Sequence, residues 1–157
     1  MSGRALWFSL ALTLAGFLLM VGAEHAGVGP GEYSSQLQLQ FAWNAERTHA
    51  VLAGWGEAGR ARVSNGIYAD TLFLIGYAWL LVHLMVRVCR HKHLAWIAVF
   101  AAALDALGNV LLLGLIRGEL DTGISLGISL VATLKFALIG ACLICLGLAW
   151  RRYGARR

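Results

Sequence analysis

Five residues of this 157-residue chain carry chemistry where chemistry is costly: Asp70, Tyr77, Asp105, Asn109 and Lys135. Each stands in a stretch that is otherwise apolar. Asp105 and Asn109 lie in "AAALDALGNVLLLGL", and Lys135 lies in "LVATLKFALIG". Asp105 and Asn109 are one helical turn apart and share a face, as do Asp70 and Tyr77 seven residues apart. Such a set can form a buried ion pair with hydrogen-bonding neighbours, or hold the polar head or ion of a ligand. An isolated charge at the centre of a bilayer costs at least ~2.5–3.5 kcal/mol on insertion scales. Opposite charges at one depth are therefore expected to meet.

The elements that must position them are long apolar runs. Hydrophobic residues make up 59% of the chain and charged residues 13%, against roughly 45–50% and about 25% in soluble domains. Four runs, about 5–23, 67–88, 94–116 and 124–150, each reach the ~20 residues that cross a ~30 Å hydrocarbon core. The first also resembles a secretory leader, with Val21-Gly22-Ala23 as a small-residue cleavage site. Here it is read as a retained helix. The expected fold is an all-α membrane protein: one four-helix domain over residues 1–157, with the 24–66 connection outside the membrane.

Charge placement sets the expected orientation. Arg4, Arg87, Arg90, Lys92, Arg151, Arg152, Arg156 and Arg157 flank one side with no acid among them. The opposite connections hold four arginines against six acids. Positive flanks stay in the cytoplasm, so both termini are expected inside. This use of the basic residues argues against nucleic acid as a partner and favours membrane lipid.

Depth follows from counting. Asp105 and Lys135 each fall about midway along their runs, and Tyr77 reaches the same level. The reading is that Asp105 is tolerated because Lys135 faces it, with Asn109 and Tyr77 adding hydrogen bonds. Asp70 lies nearer the outer surface, roughly 10 Å from Asp105 in depth, too far for a proton-sharing dyad.

Other chemistries fit less well. Cys142 and Cys145 form a C-x-x-C, as in four-helix quinone-linked thiol oxidoreductases. The pair lies at the cytoplasmic end, and the 24–66 segment has no cysteine. Packing is the better reading for Cys89, Cys142 and Cys145. His83 is the one histidine inside a run, so a bis-histidine haem is not expected. His83 points about 120° away from Tyr77. His91-Lys92-His93 reads as a solvated turn. No metal site and no cofactor are predicted; quinone, lipid or a pigment on His83 are the alternatives.

The 24–66 connection opens with the turn-rich "GVGPGEYSS". "QLQLQF" then alternates as a short strand would. Asn44 is expected to cap a helix over 45–55 that ends at Gly56. Thr48, Leu52 and Trp55 line one side of it. Trp43 and Trp55 suit an interface and are read as an outer lid. Gly123 and Gly127 form a small-xxx-small pair for close helix packing or a dimer contact.

The stretches "VLAGWGEAG", "DTLFLIGY", "ALDALGNVLLL" and "ATLKFAL", in that order, resemble a family of small bacterial four-helix integral membrane proteins. The resemblance implies a multi-pass protein of the bacterial inner membrane. It marks Trp55, Asp70, Phe73, Tyr77, Asp105, Asn109, Lys135 and Phe136, and implies no activity. The chain departs from that family at Gln40 and Gly108, where the family carries acids.

Three functions follow as expectations. The first is a non-catalytic accessory or assembly subunit of a larger membrane complex, or a homo-oligomer. The second is a transporter or a lipophilic-ligand or quinone-binding protein built on the Asp–Lys–Asn–Tyr cluster. The third is a lipid-modifying enzyme with Asp70 or Asp105 as acid or base. A filled, dry core favours the first; a cavity opening onto Asp105 favours the others.

Overall fold

The computed structural model describes residues 3–26, 34–89 and 92–154. The turn-rich 27–33 stretch, with Pro30 and Glu32, lies outside them, as do Arg90, His91, Arg156 and Arg157. Every regular element among the described residues is helical: α1 (Gly3–His25), α2 (Gln36–Gln40), α3 (Ala45–Val88), α4 (Ala95–Arg117) and α5 (Ser125–Gly154). Single 3-10 turns precede α4 and α5. Four of these helices, α1, α3, α4 and α5, are long and apolar enough to cross a membrane.

Long aliphatic runs with little proline make these helices, and small residues decide how they pack. α1 lies along α3 and has no packed interface with α4 or α5. A Cβ on Gly16 would stand 2.4 Å from the backbone nitrogen of Phe73. One on Gly76 would stand 2.6 Å from that of Thr13. The two backbones therefore touch, which only glycine permits. Gly123 and Gly127, read as a packing pair, face Asp121 and Ile124 beside them instead of another helix.

α3, α4 and α5 pack on one another. The turn between α4 and α5 begins at Gly118, whose φ of 75° suits glycine at a helix C-terminus. The Gly114 carbonyl accepts from Glu119 and Leu120 there. Leu39, Val63, Ile67, Leu112 and Ile128 fill one core layer. Tyr77, Leu81, Met85, Ala98 and Cys142 fill a second, nearer the basic end.

Two expectations about the connection are corrected. "QLQLQ" forms a helical turn, not a strand. Ser35 and Gln38 make a reciprocal capping box, and the buried positions are 36, 39 and 40, which is helical spacing. Gly56 breaks the helix, with φ 58° and ψ −164°, but does not end it. The chain resumes at once and runs to Val88. Residues 57–66 thus extend the second spanning helix rather than forming a loop. The 45–55 stretch behaves as read otherwise: Asn44 caps it through Arg47 N–H, and Thr48, Leu52 and Trp55 are buried. Thr48 shares a 2.7 Å hydrogen bond with Ser125.

Candidate functional site

Three helices bring the polar residues to one place. α3 supplies Asp70 and Tyr77, α4 supplies Asp105 and Asn109, and α5 supplies Lys135. All five are buried. Lys135 Nζ donates to Asp105 Oδ1 and forms an ion pair with it. Tyr77 donates its hydroxyl to Asp105 Oδ2 at 2.8 Å. Both oxygens of Asp105 are therefore taken, one by a cation and one by a phenol. The ammonium of Lys135 also stands 4.7 Å from the ring of Phe136, within cation–π range.

Asn109 departs from its expected role. It donates to Asp70 Oδ2 at 2.7 Å and not to Asp105. Asp70 is thereby tied to α4 one turn from Asp105, a rise of about 6 Å. The two carboxylates share no hydrogen bond, so the geometry does not make a dyad.

The cluster forms part of the wall of a cavity of about 570 Å³. Asp70, Tyr77, Asp105 and Lys135 line it; Asn109 does not. α1 borders it with Phe17, Met20 and Glu24, and α5 with Phe136 and Ile139. Because α1 packs along α3 and not on α4 or α5, the space between α1 and α5 is left for the cavity. Phe17, Phe73 and Tyr77 form an aromatic series along it, with ring centroids 5.9 Å and 5.2 Å apart. Most of the lining is apolar.

The roof is α2, not the tryptophans. Ser35, Gln36, Leu37 and Gln40 line the cavity. Trp55 is buried and holds the roof from behind, donating to Gln38 Oε1 at 2.7 Å. Trp43 is partly exposed, and its backbone N–H donates to Ser129. Its φ of 67° is strained for a bulky side chain.

Glu24 is the residue that sequence reasoning missed. It lies one residue before the end of α1, is buried, and accepts from the Gln36 backbone N–H at 3.1 Å. Its side chain lies against Gly66, where a Cβ would meet Glu24 Cγ at 2.7 Å. Gln40 lines the cavity; at Gly108, the other departure from the resemblance, a Cβ would stand 3.7 Å from Val131 Cγ1 across the α4–α5 contact.

The remaining candidates fall elsewhere. His83 is buried with no hydrogen-bond partner on either ring nitrogen among the described residues, and it does not line the cavity. Cys89, Cys142 and Cys145 are free thiols. His93 is exposed. No protein-family model, curated protein or solved structure matches the chain.

Proposed function

We propose that this is a multi-pass membrane protein that holds one lipophilic small molecule, seated between α1 and α5 with its polar head at the Glu24–Asp70–Asp105–Lys135 wall. The observation that carries this reading is the cavity itself. Its volume of about 570 Å³ lies within the ~300–1,000 Å³ of small-molecule sites, which join an apolar lining to a few polar groups. An accessory subunit whose core polar residues merely pin its helices has no use for such a space. The enzyme reading is weaker too. Asp105 has both oxygens engaged, which suits an anchor better than a general base.

The orientation that fits is the one set by basic flanks: both termini in the cytoplasm of a bacterial cell, and α2 toward the outer face. The open side between α1 and α5 then faces lipid, so a lipophile reaches the cavity sideways from the membrane.

The test is purification from native membranes in mild detergent, with mass spectrometry of what remains bound. One lipophilic species at near one per protein is expected. It should be reduced at least about tenfold in a Phe73→Trp variant, which fills the cavity from an apolar wall. Recovery of bulk lipid only, in the same proportions as the membrane and unchanged by that variant, would sink the reading.

A further inference from the structure

We propose that the occupant of this cavity carries a primary ammonium head, held between Glu24 and Asp70, on an apolar tail. The inference rests on the reading of the cavity as a lipophile site and names the ligand's chemistry.

The charges on the wall do not balance. Among the described residues, three carboxylates line it, Glu24, Asp70 and Asp105, against one lysine. That lysine is already committed to Asp105, whose second oxygen is taken by Tyr77. Neither Glu24 nor Asp70 forms an ion pair with a described residue. His25 also borders the cavity, and its ring Nδ1 donates to the Val21 carbonyl at 2.9 Å. Buried carboxylates without a cation are costly.

The hydrogen bonds are unbalanced in the same sense. Glu24 uses Oε1 for the Gln36 N–H, and Asp70 uses Oδ2 for Asn109. The second oxygen of each accepts nothing from a described residue. Two further side chains lining the roof, Gln36 and Gln40, are more than nine-tenths buried. Their carboxamide oxygens have no partner among the described residues but expose almost no surface, so the acceptors open to the cavity are those of Glu24 and Asp70. The polar end of the cavity is thus rich in acceptors and short of donors. An ammonium brings three donors, no acceptor and one positive charge. A carboxylate or phosphate head would add negative charge to this wall. An alcohol would bring one donor and leave both acids uncompensated.

Position agrees with charge. Glu24 lies over Gly66, and Asp70 is four residues further along α3, a rise of about 6 Å. One ammonium can reach both. Below it the lining turns aromatic and aliphatic, through Phe17, Phe73, Leu81 and Ile139. At ~30 Å³ for a water-sized group, the cavity of about 570 Å³ takes about 19 such groups. That is room for a small lipophile, head and tail together.

The experiment compares octylamine, octanol and octanoate by titration calorimetry against the full chain in dodecylmaltoside. Octylamine should bind at least about tenfold more tightly than octanol, and octanoate most weakly. In the Glu24→Gln, Asp70→Asn double variant, the amine should fall to within about twofold of octanol. Octanol should still bind the double variant measurably, which reports that the cavity is still formed. Tightest binding by octanoate would overturn the ammonium assignment and make Lys135 the head anchor, leaving the lipophile site intact. Amine preference that survives the double variant would also overturn it. If none of the three binds and no lipophile copurifies, the site reading fails and this assignment with it.

Discussion

The Asp105–Lys135 pair is the most consequential contact in the chain, because each partner makes the other tolerable. Both charges are buried, and removing one strands the other. In soluble proteins a broken buried pair costs about 3–5 kcal/mol. In membranes the hydrogen-bond values average nearer ~0.6 kcal/mol, since the inserted unfolded state also finds partners. Asp105→Asn and Lys135→Met are each expected to lower the unfolding midpoint in detergent, and the double variant to regain part of the loss. Tyr77→Phe should cost less than either, because it removes a neutral donor from a carboxylate that keeps its cation. Strictly additive losses for Asp105 and Lys135 would show that the two side chains do not meet. Depth counting foretold this pair, since both residues fall midway along runs joined by a short turn. It did not foretell the partner of Asn109. A residue one turn from Asp105 reads as its helper, and only the approach of α3 turns the carboxamide toward Asp70. Glu24 was hidden for a different reason. At the edge of an apolar run it counted as a loop charge, and its burial depends on a glycine 42 positions away.

At the scale of elements, the spanning helices were legible because length and hydropathy depend on no neighbour. The connection was legible only in part. Its alternation of Gln and Leu imitates a strand. Yet Ser35-x-x-Gln38 is a capping-box pattern, and that signal was there to be read. Residues 57–66 were concealed by Glu57, Arg60 and Arg62, which lower hydropathy without disfavouring a helix. Gly16 and Gly76 matter more than any glycine pair chosen from spacing. Gly16→Ala and Gly76→Ala should each destabilise the protein by about 1–3 kcal/mol, the usual cost of overpacking, because backbone cannot yield as a flexible side chain can. Gly140→Ala is the control: nothing lies within 4 Å of its Cβ, and relief of helix entropy should make it neutral or stabilising by up to about 1 kcal/mol. Unfolding midpoints of the three variants decide the matter, and equal stability of all three would mean that α1 and α3 do not pack this closely. Gly56→Ala should also destabilise, through a positive φ alone, since the space around that position is open.

For the molecule as a whole, the sidedness of charge predicts which end faces the cytoplasm. With the native cysteines at 89, 142 and 145 replaced by alanine, Lys92→Cys should resist an impermeant thiol reagent on intact cells. Glu57→Cys, exposed on the other end of α3, should react. The reverse pattern would invert the protein and place the roof of the cavity inside. α3 is the longest element. Its 44 residues correspond to about 66 Å of helix at 1.5 Å per residue, roughly twice a hydrocarbon core of ~30 Å. The kink at Gly56 sets apart residues 45–55, about 17 Å of that length, which meet the start of α5 through Thr48 and Ser125.

The ion pair also has a history in time. Asp105 and Lys135 are 30 residues apart in the chain. At about 5–20 residues per second, the ribosome makes the acid roughly 1.5–6 s before its partner. During that interval α4 carries a carboxylate that nothing neutralises, in a segment bound for lipid. The short turn at Gly118 closes the interval at the earliest moment geometry allows, by delivering α5 antiparallel to α4. The fold therefore favours insertion of α4 and α5 together, as a hairpin whose charges cancel before either reaches the middle of the bilayer.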